Sequence, residues 1–154
     1  MNEQKINAEK IKKIVQSLIE KIDNTAKISV SGAKNGVVEI NINSDDAETM
    51  IGGGGETLRA IRHLARVMAR KTFGEPVFIE VDINGYLEKK KNYLRQLAVS
   101  SADEAALENK EISLPPMNSY ERRIVHMALA DRRDVFTESR GCDSDRRVVI
   151  NPAH

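Results

Sequence analysis

A chain of 154 residues with apolar side chains at 40% and no tryptophan can build one or two small aliphatic cores, which excludes a wholly disordered polymer. Its 24 basic and 23 acidic residues leave a formal charge of +1, so any binding of nucleic acid must rest on local patches rather than on a generally basic surface. The single Cys142 excludes an internal disulfide and a cysteine-rich zinc site; with no apolar leader and no run of roughly 18 apolar residues, the expected location is cytoplasmic, without membrane insertion.

Ile11, Ile14, Val15, Leu18, Ile19 and Ile22 recur at helical spacing behind Asn7, a residue suited to an N-cap, so the chain opens on an amphipathic helix. Ile28 and Val30 alternate with polar residues, Asn35-Gly36 is a strong turn signal, and Val38, Ile40 and Ile42 alternate again, which predicts a hairpin of two half-buried strands. Ser44-Asp45-Asp46 offers a cap for a short helix ending near Ile51. Four consecutive glycines follow, Gly52 to Gly55, in a chain that holds nine. A longer helix starts at once, from about Glu56 to Thr72, with Leu58, Ile61, Ala65 and Met68 as its buried stripe. Gly74 and Pro76 stop it, and Val77, Ile79, Val81 and Ile83 alternate as a third strand.

The glycine run is the first candidate site. Residues without a Cβ let a ligand approach the backbone, and the first turn of the following helix offers unpaired N–H groups at the positive end of its dipole. Together they suit an anion, most naturally a phosphate. The plain alternative is a flexible break between two helices. Arg59, Arg62, Arg66 and Arg70 favour the anion, because they repeat at three- and four-residue steps on one helix face that carries no balancing acids. A Walker-type nucleotide loop does not fit, since Glu56-Thr57 stands where it needs Lys followed by Ser or Thr.

The order helix, strand, strand, short helix, glycine loop, helix, strand, with Ile-Gly-x-x-Gly between the two central helices, resembles the KH domain in its bacterial, type II arrangement. That resemblance implies a three-stranded sheet with three helices, a loop backbone that holds about four single-stranded nucleotides, and an aliphatic groove that reads the bases. Gly52 and Gly55 would frame the loop, and Val38, Ile40, Ile51 and Leu58 would line the groove. Gly53 and Gly54 depart from the pattern, which often has basic or polar residues there: the backbone donors remain but the side-chain charge is gone.

From Gly85 to about Asn109, Leu87, Leu94, Leu97, Ala98 and Ala105 keep helical spacing, with Lys89-Lys90-Lys91 near the start and Ser100-Ser101 as a point of interruption. We place the domain boundary near Ile83, giving units 1–83 and 84–154, joined through this helix. Beyond Pro115-Pro116, Asn118 and Glu121 have the form of a capping box, and Tyr120, Ile124, Val125 and Ala128 supply the buried side of the helix they start. Arg122 and His126 stand four apart on one face, which by spacing alone reads as an exposed arginine and a packed histidine. Asp134 to Arg140 and Arg146 to Ile150 alternate as two strands.

The run Asn118-Ser119-Tyr120-Glu121-Arg122-Arg123-Ile124-Val125-His126, followed by Arg146-Arg147-Val148-Val149-Ile150, resembles the R-3-H domain, named for Arg-x-x-x-His and associated with single-stranded nucleic acid. A KH domain followed by an R-3-H domain is similar to the Jag family of bacterial proteins, also called KhpB, over about residues 8 to 152. Many members of that family carry a further N-terminal domain that this sequence does not show, so its contribution is not carried over. The resemblance implies an α+β chain that binds single-stranded RNA, or single-stranded DNA by the same chemistry, as an RNA chaperone or post-transcriptional regulator.

The expected RNA-binding residues are Gly52, Gly53, Gly54, Gly55, Arg59, Arg62 and Arg66 in the first unit and Arg122, His126, Arg146 and Arg147 in the second. No catalytic constellation, metal or cofactor is expected, since His63, His126 and His154 show no metal-ligand spacing with one another or with Cys142. The competing class is a protein-interaction module that associates with a small KH protein or a second copy of itself. A third is an enzyme that holds a phosphorylated small molecule at the glycine loop.

Overall fold

A computed structural model describes residues 8–153, apart from the side chains of 32–34; the expected cap at Asn7 and the histidine at 154 lie outside the described residues. The chain divides into two units between Leu87 and Glu88. In the first, helix α1 (Ala8–Ile19), strands β1 (Lys27–Lys34) and β2 (Val37–Asn43), helix α2 (Ala47–Ile51), a 3-10 turn at Gly53–Gly55, helix α3 (Glu56–Phe73) and strand β3 (Phe78–Ile83) follow in order. This is the expected type II KH order.

β2 is the middle strand of three. It runs antiparallel to β1, as a tight hairpin requires, and parallel to β3, because the α2–α3 crossover returns the chain to the same end of the sheet. The parallel register sets Val38, Ile40 and Ile42 beside Ile79, Val81 and Ile83, and all six are buried. Their partners across the layer are Ile11, Val15 and Ile19 of α1 and Leu58, Ile61, Ala65 and Ala69 of α3. The alternate residues Glu39, Asn41, Glu80 and Asp82 share the opposite face of the sheet. Val38, Ile40 and Leu58, expected to line a base-reading groove, are therefore core residues; of that set only Ile51 keeps surface. Alternation in sequence reveals which side chains share a face, but not whether that face is covered.

Ser44, itself buried, ties the elements that lead to the glycine loop. Its hydroxyl donates to Asp23 at 2.5 Å, and the Asn84 side-chain amide bonds both its N–H and its carbonyl. Donation from Ser44 and Thr25 holds the Asp23 carboxyl below its usual range. Ser44 Oγ also accepts from the N–H of Asp46, which starts α2.

The second unit continues the long helix α4 (Tyr86–Glu108), then β4 (Ile112–Ser113), α5 (Ser119–Ala128), β5 (Val135–Arg140), a 3-10 turn at Asp143–Asp145 and β6 (Arg147–Pro152). Helix α4 is unbroken across Ser100-Ser101: Ser100 turns its hydroxyl back to the Leu97 carbonyl, and Ser101 is buried. β6 is the centre of an antiparallel sheet in the order β4-β6-β5. Leu94, Ala98, Ala102 and Ala105 of α4 pack with Val125 and Leu129 and with Val148 and Ile150. Small alanines on α4 let a helix approach the sheet closely where few large side chains are available.

The capping box of α5 forms as expected, with Glu121 N–H donating to Asn118 Oδ1 at 3.0 Å and Asn118 N–H donating to Glu121 Oε2 at 2.9 Å. Tyr120 does not join the buried side of that helix; it stays 64% exposed.

Candidate nucleic-acid interface

Each glycine of the loop has a different reason to be there. Gly52 (φ 71°) ends α2, its N–H donating to Glu48 O at 2.9 Å, and a Cβ here would sit 2.2 Å from Thr57 Oγ1. Gly55 (φ 83°) enters α3 in the left-handed region, and its Cβ would press against the Tyr86 ring at 3.1 Å. Gly54 has open space but φ 61°, so a side chain there is strained by backbone alone. Gly53 has both open space and no positive-φ demand.

The loop N–H groups divide in the same way. Those of Gly52 and Gly55 are spent on Glu48 O and Gly52 O. Among the described residues no acceptor takes the N–H of Gly53 or Gly54, and both glycines are exposed. The 18-residue α3 then begins with no side-chain cap. Two free donors in front of an uncapped helix start form a concentration of partial positive charge that an anion can satisfy. Exposed Glu56, in the first turn, opposes it.

The arginine row is not uniform. Arg62 and Arg66 both pair with Glu80 of β3, at 3.0 and 2.7 Å, and Arg66 Nε also donates to the Ile79 carbonyl at 2.8 Å. The balancing acid comes from a neighbouring strand, which helix-face counting cannot see. β3 is an edge strand, so these two arginines cover a free sheet edge. Arg59 and Arg70 have no side-chain hydrogen bond or ion pair among the described residues, and Arg59 lies one turn from the loop.

In the second unit, the ring of His126 is held at both nitrogens by β5: Nδ1 lies 2.7 Å from Thr137 Oγ1 and Nε2 lies 3.0 Å from Ser139 Oγ. Burial, and secondarily the charge of Arg122, push its pKa below the ordinary value, so the ring is neutral at pH 7. A neutral imidazole donates from one nitrogen and accepts at the other. One of the two hydroxyls therefore receives a hydrogen bond from the ring and keeps its own hydrogen for another acceptor. Nothing local in the sequence ties Thr137 and Ser139 to His126; their spacing of two on one strand shows only that they share a face.

Arg122 spends one N–H on the Met117 carbonyl at 2.8 Å, and the Met117 N–H donates in turn to the carbonyl of Arg146 at 3.0 Å. Arg122, His126 and Arg146 thus belong to one corner, and the exposed Arg146 side chain has no partner among the described residues. Arg147 does not join them. It sits opposite Arg140 in the β5–β6 register, whereas Ser139 and Thr137 sit opposite Val148 and Ile150, so alternation puts Arg147 on the other face of the sheet. There it pairs with Asp145, while Arg140 pairs with Glu111 and Glu138.

Comparison with known proteins gives matches over both units. Residues 8–83 match the family described as the KH domain of KhpA/KhpB, and residues 92–152 match the R-3-H domain. The RNA-binding protein KhpB of Clostridium symbiosum is 33% identical over 114 residues, which is 74% of this chain and 51% of that protein. Those of Bacillus subtilis and Lactiplantibacillus plantarum are 32% identical over 139 residues and 31% identical over 134, covering 89% and 87% of this chain. The chain spans 66% of the Bacillus subtilis protein and 41% of the Lactiplantibacillus plantarum one. Among the described residues no helix is long and apolar enough to cross a membrane.

Proposed function

The chain belongs to the KhpB (Jag) family, in which a KH domain precedes an R-3-H domain, and on that premise we propose that it binds single-stranded RNA, in bacteria, as an RNA chaperone or post-transcriptional regulator. The observation that carries the reading is the pair of exposed glycines, Gly53 and Gly54, whose N–H groups have no acceptor among the described residues, in front of the uncapped start of α3. A phosphate run of a single strand follows that backbone, with Arg59 as the free cation beside it. Arg62 and Arg66 contribute only when they leave Glu80. In the second unit the corner of Arg122, His126 and Arg146 takes further phosphates through the spare guanidinium donors and the free hydroxyl hydrogen of the Thr137–His126–Ser139 arrangement. Arg147, on the other face, is a separate contact at most.

The test is an anisotropy titration of single-stranded and duplex RNA at several salt concentrations. With four to six phosphates engaged, the logarithm of affinity should fall against log salt with a slope near −3 to −4, at ~0.7 per phosphate. Binding that ignores salt, or that prefers the duplex, overturns the reading. A second reading, association with a small KH protein or a second copy, is favoured by Phe78, a large apolar residue 62% exposed on the edge strand β3. Sedimentation of the chain alone and with a small KH protein distinguishes it.

A further inference from the structure

Helices α4 and α5 enclose a groove of about 370 Å³ lined by Lys91, Arg95, Tyr120, Arg123, Ile124 and Met127, with Ala128 at its side. Three of these are cations and none is an acid. Lys91 and Arg123 have no side-chain partner among the described residues, and Arg95 has only a 3.3 Å bond to Asn92. Tyr120 and Met127 are 64% and 66% exposed although they fall, with Arg123 and Ile124, at the i, i+3, i+4, i+7 spacing of a face that ordinarily packs against another element. This face lies roughly a third of a turn around α5 from Arg122 and His126.

We propose that this groove is a stacking site for one base of single-stranded RNA, separate from the glycine loop and from the Arg122 corner. An aromatic ring and a polarisable thioether left in water, flanked by three positive charges, are the two halves of single-strand recognition: a flat apolar surface for the base and cations for the phosphates on either side. The volume sits at the lower end of the ~300–1,000 Å³ that small-molecule sites enclose, which suits one nucleotide rather than a duplex. The charge of the lining selects an anionic chain, and the exposed ring selects a planar base over a carboxylate side chain, which offers nothing to stack. The inference rests on the RNA-binding reading above and adds to it a contact that no phosphate-only mode provides.

The chain has no tryptophan, so Tyr120→Trp creates a single reporter in the groove. The full chain carrying it is titrated with an oligouridine of about eight nucleotides, within the ~4–16 that a single-strand binding module covers, with an abasic ribose-phosphate strand of the same length, and with polyglutamate. Anisotropy of labelled strands is read alongside tryptophan emission, with circular dichroism to confirm folding. Oligouridine should quench the reporter and the abasic strand should not. Tyr120→Ala should lose about five- to hundredfold in affinity for oligouridine and little for the abasic strand, whereas Tyr120→Phe, which keeps the ring, should stay within about twofold. Anisotropy that reports binding without quenching, together with an unchanged Tyr120→Ala, overturns the groove and leaves the RNA-binding reading intact. Equal losses on both strands overturn stacking. Quenching by polyglutamate equal to that by oligouridine makes the groove a peptide site and overturns the assignment. If no strand binds by anisotropy, the RNA-binding reading itself has failed, and the groove proposal with it.

Discussion

Gly53 is the position at which the clamp reading can be tested without disturbing the fold. A side chain there meets nothing within 4 Å and is not asked to adopt a positive φ, whereas Gly54 at φ 61° would add strain to any result. Gly53→Lys and Gly53→Asp therefore form a matched pair of opposite charge on one backbone. Take the charge to lie about 6 Å from the nearest phosphate. One unit charge is then worth ~0.7 kcal/mol at the dielectric of water and ~2.8 kcal/mol at an effective value of 20. The two variants differ by two units, so their affinities for single-stranded RNA should differ by ~1.4 to ~5.6 kcal/mol, tenfold at the least. Losing glycine should in addition stabilise both by up to ~1 kcal/mol, by restricting the unfolded chain. Anisotropy titrations of wild type and both variants at low salt, with thermal melts as a folding control, give the ordering. Lys above wild type above Asp supports a phosphate at the loop. Three equal affinities in three folded proteins would refute it and move the KH unit to the protein-binding class.

Arg122→Ala and His126→Gln should each weaken RNA binding, and the double variant should lose less than the sum if the two act as one site; additive losses in a double-mutant cycle would separate them. The depressed pKa of His126 makes the stability of its unit depend on pH. Its contribution is complete above the unfolded value near 6.5 and is lost as pH falls from there toward the folded value, because the unfolded chain takes up the proton first. Melts between pH 7.5 and 5 should show this fall, and His126→Gln should flatten it. Asn118→Ala removes one half of the capping box and should cost about 1 kcal/mol, a few degrees in melting temperature, while RNA affinity well below the transition stays unchanged. Glu80→Gln releases Arg62 and Arg66 from pairs worth at most ~1 kcal/mol each at this exposure; a salt slope steeper by about 0.7 per arginine engaged would place them in the interface, and an unchanged slope would leave them to the sheet edge.

The elements that sequence made legible are those whose period runs long enough to declare itself. Ile11 to Ile19 repeats at helical spacing over about two and a half turns, and the Ile28–Ile42 hairpin alternates on both sides of Asn35-Gly36, where both residues adopt positive φ. The capping box was legible because its two halves sit three residues apart. β4 was not, since Ile112–Ser113 is too short to show any period and exists as a strand only because β6 lies beside it. The site failed in the same direction. Glu80 is 14 residues from Arg66, and Thr137 and Ser139 are 11 and 13 from His126, so neither partnership leaves a local trace. Tyr120 differs for another reason: it falls on an apolar stripe, but no described residue covers its ring, which stays exposed.

In the proposed RNA-binding mode, the arrangement at β3 would make ionic strength a selector between two kinds of association. Glu80 and the Ile79 carbonyl keep Arg62 and Arg66 folded across the open side of that strand, where a second strand would otherwise find unpaired backbone groups. Dissolved ions screen such surface pairs and phosphate contacts alike. Raising salt therefore loosens the guard on the strand while it would weaken the proposed hold on RNA, and lowering it closes the strand while it would strengthen that hold. A polyanion that draws the two arginines away unlatches the same side from the other direction. In the proposed RNA-binding mode, phosphates that take Arg62 and Arg66 from Glu80 would bare the β3 edge, so RNA at these arginines and strand addition at this edge would favour one another.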